Sequence, residues 1–118
     1  MKILIVDDIE EIVINIDKII RYNLPDASIE HAFTAEDAML KYDEFKPDFV
    51  LLDLSLGKRS GLDVLKYIKK EKSNTKVIIV TNCNEAYYFR KCSEMGADYF
   101  IDKSKEFNEL PKILNWIV

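Results

Sequence analysis

The sequence is poor in the residues that interrupt regular structure or cross-link small secreted domains. Its 118 residues include only three glycines, three prolines, two cysteines and one histidine. So few glycines and prolines argue against a disordered or collagen-like chain. The two cysteines, Cys83 and Cys92, match neither a disulfide framework nor the spacing of a zinc site. We therefore expect one globular domain over residues 1–118, with both cysteines reduced.

Long apolar runs and an excess of positive charge are also missing. No stretch approaches the roughly 18 uninterrupted apolar residues of a membrane span. The N-terminal apolar run, residues 3–6, is far shorter than the core of a signal peptide. A formal net charge of −4 disfavours nucleic acid as a direct ligand, because phosphate neutralisation needs a basic surface. We expect a cytoplasmic protein that binds neither membrane nor nucleic acid directly.

What the sequence does contain is a series of short apolar segments. Four of them are uninterrupted, which is typical of strands covered on both faces of a parallel sheet. They comprise residues 3–6, 49–52, 77–80 and 99–101. A fifth segment, residues 28–33, alternates apolar and polar residues, which predicts a strand at the edge of the sheet.

Helical patterns follow the first three strands. Between Ile9 and Ile20, apolar residues recur every three or four positions, which places them on one face of a helix. Thr34 and Ser60 each precede an aspartate by three residues, and this pattern marks helix starts. We predict the second and third helices there.

Two further helices are predicted in the last third of the chain. The fourth covers residues 85–95. The fifth is predicted to begin near Asn108, because Pro111 is tolerated only within a first turn. Trp116 and Ile117, near the end of that helix, are predicted to lie in the core.

Five strand-helix pairs in this order predict a doubly wound α/β fold of the flavodoxin-like type. Crossovers of this length give a parallel sheet of five strands, with five helices distributed over both faces. Ligands bind such sheets outside the carboxyl ends of the strands, where the strand order reverses. Functional residues are therefore expected directly after each strand.

Each uninterrupted apolar run is followed by residues of types that commonly bind metal ions or phosphoryl groups. These residues are Asp7 and Asp8, Asp53, Thr81 and Lys103. Carboxylates gathered at one place cannot all stay ionised without a cation, because each raises the pKa of the others. Oxygen ligands with room for water favour Mg2+. Zinc is disfavoured, since the single histidine, His31, is predicted to be structural.

This set of residues suits phosphoryl transfer. With a metal bound, Asp53 becomes a nucleophile that accepts a phosphoryl group as an acyl phosphate. Such transfer depends mainly on positioning and charge neutralisation. Lys103 would supply a cation and Thr81 a hydroxyl donor for the phosphoryl oxygens. For Asp8, capping of the following helix is an equally weighted alternative.

The whole chain resembles the receiver domain of two-component response regulators, of the stand-alone type. The resemblance is carried by ILIVDD (residues 3–8), PDFVLLDLSL (47–56), SGLDVL (60–65), VIIVTN (77–82) and GADYFIDKS (96–104). It implies a sheet of strand order 2-1-3-4-5 with Asp53 as the phosphoacceptor. It also implies that Asp8, Asp53 and the backbone carbonyl of Ser55 bind Mg2+, and that Asp7 completes the pocket through water.

The resemblance further implies a switching mechanism and partners. The phosphoryl donor is the phosphohistidine of a sensor histidine kinase or of a phosphotransfer protein, and the downstream target is an unknown protein. Thr81 and Lys103 hold the phosphoryl group. Phe100, the switch aromatic, turns inward and changes the face formed by the fourth helix, fifth strand and fifth helix. The protein would catalyse only its own phosphorylation and dephosphorylation.

Three residues depart from the family pattern. Ser104 stands where the family commonly has a proline after a cis bond, which costs about 3 kcal/mol without proline, so a trans bond is expected. Gly57 replaces another frequent proline and is expected to loosen its loop. Asn82 is bulkier than the usual small residue and is expected to narrow access to the pocket.

Alternative functions fit parts of the sequence. The acidic pocket with Asp53, Thr81 and Lys103 argues against a degenerate receiver that only binds proteins. The departures at Asn82 and Ser104 keep this alternative open. A magnesium-dependent phosphatase of the haloacid dehalogenase type would place a second aspartate two residues after its nucleophile, but Asp7 and Asp8 are adjacent. A flavin-binding protein is disfavoured, because residues 7–11 are acidic and lack glycine.

Overall fold

Strands and helices alternate along the computed structural model, which describes residues 1–70, 74–82, 85–103 and 107–117. The strands are β1 (Lys2–Val6), β2 (Ser28–Ala32), β3 (Phe49–Leu52), β4 (Ser55–Leu56), β5 (Arg59–Ser60), β6 (Lys76–Thr81) and β7 (Tyr99–Asp102). The helices are α1 (Glu10–Asn23), α2 (Ala35–Phe45), α3 (Gly61–Lys70), α4 (Ala86–Glu94) and α5 (Leu110–Ile117). A 3-10 turn, Phe107–Glu109, precedes α5.

Five of the strands form one parallel sheet in the order β2-β1-β3-β6-β7. Without the two short strands β4 and β5, this is the predicted order 2-1-3-4-5. The five predicted strands are confirmed, and their ends differ from the prediction by at most one residue. The strand order reverses between β1 and β3, so the predicted crevice lies at their carboxyl ends.

The core forms one layer on each face of the sheet. Successive strand residues point to opposite faces. Leu4 therefore packs with α2, α3 and α4, whereas Ile3 and Ile5 pack with α1 and α5. Cys92 is buried in the first layer as a reduced cysteine, as predicted. Cys83 lies outside the described residues.

The helix starts confirm the capping predictions. The hydroxyl of Thr34 accepts a hydrogen bond from the backbone N–H of Asp37 at 3.1 Å, which caps α2. The hydroxyl of Ser60 accepts one from the N–H of Leu62 at 3.1 Å, at the start of α3. Helix α5 begins at Leu110, so Pro111 lies in its first turn as expected.

The prediction that Trp116 lies in the core was wrong. Its side chain is 70% exposed. The buried positions of α5 are Leu110, Ile113 and Leu114, which recur at helical spacing on one face, and Trp116 falls outside that stripe. The side chain of Ile117 lies outside the described residues.

A short hairpin formed by β4 and β5 was not predicted. Ser55 pairs with Ser60, and Leu56 pairs with Arg59. The turn contains Gly57 with a φ of 66°, a value that proline cannot adopt. Two-residue hairpin turns favour glycine at this position. The glycine that replaces a frequent proline in the family thus forms a defined turn.

Candidate functional site

Main-chain hydrogen bonds continue the parallel sheet one residue beyond several strand ends. The N–H of Asp7 donates to the carbonyl of Ala32 at 3.2 Å, and the N–H of Asp53 donates to the carbonyl of Val6 at 2.9 Å. These bonds fix the backbone of both aspartates beside the crevice.

Lys103 is held in the same way and reaches across the crevice. Its backbone N–H donates to the carbonyl of Thr81 at 2.9 Å. Its ammonium group donates to a carboxylate oxygen of Asp7 at 2.6 Å and to one of Asp53 at 3.1 Å. All three side chains are almost fully buried. Residues from three strand ends thus meet in one small pocket.

The two adjacent aspartates after β1 have different environments. Asp7 is buried, and its second carboxylate oxygen accepts a hydrogen bond from the N–H of Ile9 at 2.9 Å. Asp8 is exposed at the mouth of the pocket. The side chain that contacts the N-terminal end of α1 is therefore that of Asp7, not that of Asp8 as the capping alternative required.

Three carboxylates form an acidic cluster that fits a hard divalent cation. One oxygen from each of Asp7, Asp8 and Asp53 lies within 4.8 Å of the other two. The cluster offers only oxygen ligands, and its one exposed member leaves a side open to water. This chemistry is compatible with Mg2+, which keeps several waters when it binds to proteins.

The positive charge of Lys103 does not balance the negative charge of the carboxylates in the pocket. Burial raises the pKa of Asp7, and hydrogen bonds from Lys103 and Ile9 only partly oppose this effect. Burial alone would lower the pKa of Lys103, but its contacts with Asp7 and Asp53 outweigh burial and raise that pKa. One ammonium group thus faces two buried carboxylates. The remaining negative charge favours a bound proton or a metal ion.

The β4–β5 hairpin and the start of α3 hold the main chain around Asp53. A carboxylate oxygen of Asp53 accepts a hydrogen bond from the N–H of Ser55 at 3.2 Å. The N–H of Gly61 donates to the carbonyl of Leu54 at 2.7 Å. A Cβ atom on Gly61 would lie 2.1 Å from the backbone oxygen of Asp53. Sequence reasoning missed this role, although glycine directly after the helix cap Ser60 was a usable signal.

Thr81 and Phe100 lie on the two strands at the far side of the pocket. Thr81 ends β6 and is fully buried. Phe100 lies in β7, three residues before Lys103, and is partly buried. Its ring packs edge to face on that of Phe89 in α4, with centroids 5.5 Å apart and planes at 72°. Sequence analysis did not predict this pair.

The expectations for Asn82 and Ser104, two residues that depart from the family pattern, stay predictions. Asn82, which directly follows Thr81, is exposed beyond the end of β6. Its predicted effect on access to the pocket stays a prediction. Ser104 lies outside the described residues, so the trans bond expected before it also stays a prediction.

The doubly wound sheet, with an acidic pocket and a lysine at its switch point, places the chain in the class of flavodoxin-like α/β domains that bind ligands at the strand ends. Comparison with known families gives the particular family: a model described as the response regulator receiver domain matches residues 3–115. The chain therefore belongs to the receiver domains of two-component response regulators. Domains of this family are signalling switches that interact with histidine kinases or phosphotransfer proteins, and they typically bind Mg2+.

Individual relatives agree with this assignment. The alkaline phosphatase synthesis transcriptional regulatory protein PhoP of Bacillus subtilis is 33% identical over 104 residues, covering 86% of this chain and 42% of that protein. The signal receiver domain of a DNA binding response regulator protein from Colwellia psychrerythraea is 26% identical, with 99% and 97% coverage and a TM-score of 0.92. A CheY-like receiver domain protein from Methanospirillum hungatei is 25% identical, with 98% and 91% coverage and a TM-score of 0.88.

The match covers only part of the length of the curated relatives. It spans between 31% and 54% of the length of the first three curated relatives. Among the residues that the structure describes, no helix combines the length and apolar character needed to cross a membrane.

Proposed function

We propose that this chain is a phosphorylation-dependent switch that accepts a phosphoryl group on Asp53. The donor would be the phosphohistidine of a sensor histidine kinase or of a phosphotransfer protein, and the reaction would require Mg2+. The observation that supports this most directly is the ammonium group of Lys103 between Asp7 and Asp53, next to the acidic cluster. This arrangement offers a nucleophile, a metal site and a cation in one pocket.

The pocket residues suggest how the transfer would proceed. Asp8, Asp53 and the backbone carbonyl of Ser55 would hold Mg2+, with Asp7 contacting it through water, and the ion would neutralise charge on the phosphoryl oxygens. A carboxylate oxygen of Asp53 forms the new bond to phosphorus while the bond from phosphorus to the histidine nitrogen breaks. The electron pair of that bond leaves with the imidazole.

Lys103 and Thr81 would then stabilise the product. The ammonium group exchanges its contact with the Asp53 carboxylate for one with a phosphoryl oxygen, and the Thr81 hydroxyl donates a hydrogen bond to another. As Thr81 moves, Phe100 turns inward and alters the face formed by α4, β7 and α5. An unknown downstream protein would recognise this face, because one conformation is selected by the phosphoryl group.

The remaining functional expectations belong to the same proposal. The chain would act in the cytoplasm as one receiver domain, without direct contact to nucleic acid or membrane. The net charge of −4 supports the absence of direct binding to nucleic acid, because binding to a polyanion requires a basic surface. The chain would catalyse only its own phosphorylation and dephosphorylation.

Intact-protein mass spectrometry tests the proposal. Incubation with acetyl phosphate and Mg2+ should add one phosphoryl group. The addition should be lost in Asp53→Asn and after removal of the metal with a chelator, and it should be kept in the exposed control Asp26→Asn. If the folded wild-type protein stays unmodified with Mg2+ present, the proposal is wrong.

The second candidate is a degenerate receiver that acts only as a protein-binding module. The exposed Asn82 beside Thr81 favours it, because this side chain is bulkier than the small residue usual in the family. An unmodified but folded wild-type protein would support this candidate. Catalytic turnover of phosphate esters would instead support a magnesium-dependent phosphatase.

A further inference from the structure

Phe89 is an exposed side chain with one well-defined aromatic partner. Its ring is 54% exposed on α4, yet it packs edge to face on Phe100 at a centroid distance of 5.5 Å. Helix α4 has one fully buried residue, Cys92, and Tyr88 packs against the core as a partly buried side chain. The contact between the two rings is a further link between α4 and β7.

The rings of Phe89 and Phe100 are not tightly enclosed. A cleft of about 90 Å³ lies beside the two rings and is also lined by Cys92 and Ala97. Phe100 pairs in register with Ile79, two residues before Thr81, so its strand neighbours are part of the same segment that ends at the pocket. A rotation of the Phe100 ring would break its contact with Phe89 without disturbing the backbone ladder.

We propose that Phe89 is a positioning residue that holds Phe100 in its partly buried orientation and thereby limits switching in the absence of phosphorylation. This inference rests on the proposed function, since it assigns Phe100 the role of the moving aromatic. An interaction made in only one of two conformations shifts the equilibrium toward that conformation. Edge-to-face pairs of this kind change an equilibrium constant by about two- to tenfold.

Removal of the Phe89 ring should therefore populate the switched conformation without a phosphoryl group. Thr81 is a suitable reporter, because the chain has only three threonines and their methyl resonances are readily assigned by NMR. The reference positions are the Thr81 methyl signals of the wild-type protein before and after phosphorylation with acetyl phosphate and Mg2+.

In unphosphorylated Phe89→Ala, the Thr81 methyl signal should move along the line from the first reference position toward the second. The rate of Asp53 phosphorylation by acetyl phosphate should rise by about two- to tenfold. Phe89→Leu, which keeps apolar volume but removes the ring edge, should show a smaller change in the same direction. Tyr87→Ala is the matched control, since Tyr87 is equally exposed on α4 but pairs with Tyr88.

The outcomes separate this inference from the proposed function. If the wild-type protein is phosphorylated but both Phe89 variants match it in Thr81 shift and rate, the positioning role is wrong and the switch proposal stands. Equal changes in Tyr87→Ala and Phe89→Ala would also overturn the positioning role. If the wild-type protein takes no phosphoryl group, the proposed function fails and this inference fails with it.

Discussion

Asp17 on α1 binds two cationic or titratable side chains at once. One carboxylate oxygen accepts a hydrogen bond from Arg21 at 2.5 Å, and the other lies 2.7 Å from Nε2 of His31 on β2. Burial acts to raise the pKa of Asp17, but the hydrogen bonds from His31 and Arg21 outweigh it and lower that pKa. His31 is thus engaged in a contact between helix and edge strand, as expected for a structural residue.

The lowered pKa predicts how stability depends on pH. A carboxylate whose pKa is lower in the folded protein stabilises it above the unfolded-state value of 3.8, and this contribution is lost as the pH falls through the folded-state pKa. Asp17→Asn should therefore unfold at lower urea concentration than the wild-type protein at pH 7. The difference should shrink below about pH 4. An equal difference at pH 7 and pH 3 would contradict this account.

The sequence was sufficient to predict which acidic residues form the pocket, but not how deeply each of them is buried. The sequence indicated that Asp7, Asp8 and Asp53 follow strands, and the structure brings their carboxylates together. It could not indicate which of the two adjacent aspartates is buried. That depends on how the chain turns from β1 into α1, because neighbouring residues at a strand end point in different directions.

At the scale of secondary-structure elements, the start of α3 is packed directly on the end of β3. Gly61 is the contact point, since a Cβ atom there would lie 2.1 Å from the backbone oxygen of Asp53 and 2.8 Å from the Cα of Leu54. Both neighbours are main-chain atoms, so the clash cannot be relieved by a side-chain rotation. The position of Asp53, the proposed phosphoacceptor, therefore depends on residue 61 being a glycine.

Gly61→Ala should disturb both stability and the pocket. We expect a loss of about 1–3 kcal/mol in the free energy of unfolding from overpacking, and slower phosphorylation of Asp53 because its backbone must move. Urea denaturation and the mass-spectrometric assay measure the two effects.

Gly57→Ala is the control for this substitution. Its added Cβ has no atom within 4 Å and meets only the left-handed backbone, at a cost of about 1 kcal/mol. If Gly61→Ala proves as stable and as readily phosphorylated as the wild-type protein, the packing account of α3 is wrong.

Elements with a periodic pattern could be predicted, whereas those set by tertiary contacts could not. The five sheet strands were visible because burial on both faces gives uninterrupted apolar runs. The β4–β5 hairpin has strands of only two residues, which are too short for any pattern. Trp116 was misassigned because its hydrophobicity was given more weight than its position outside the buried stripe of α5.

On the scale of the whole molecule, Lys103 connects the ends of three strands in one sheet. Its ammonium group bridges the residues that follow β1 and β3, and it extends from the end of β7. Sequence analysis placed these residues at one edge of the sheet, but it did not predict the direct contacts, which join positions 96 and 50 residues apart. Only the full strand order brings the three residues together.

Removal of the Lys103 charge should lower the stability of the protein, and a bound metal ion should restore part of it. Lys103→Met leaves two buried carboxylates without their cation, and we expect the free energy of unfolding to fall by about 3 kcal/mol in metal-free buffer. Mg2+ should recover part of this loss, because a bound ion supplies the missing positive charge. Urea denaturation with and without Mg2+ measures both effects.

The exposed pair Lys112 and Glu109 provides the comparison. Lys112→Met should change the free energy of unfolding by less than about 1 kcal/mol and should show the same response to Mg2+ as the wild-type protein. A Lys103→Met protein that behaves like Lys112→Met would show that the buried bridge contributes little.

The long sequence separation between Lys103 and its two carboxylate partners should also affect folding kinetics. Contacts between distant positions require closure of long loops and form after local structure has been established. During synthesis, Asp7 and Asp53 leave the ribosome well before Lys103, so the acidic pair has no ammonium partner until the last sheet strand has docked. Formation of the pocket therefore requires β7, and a chain arrested before β7 would retain two carboxylates in mutual repulsion.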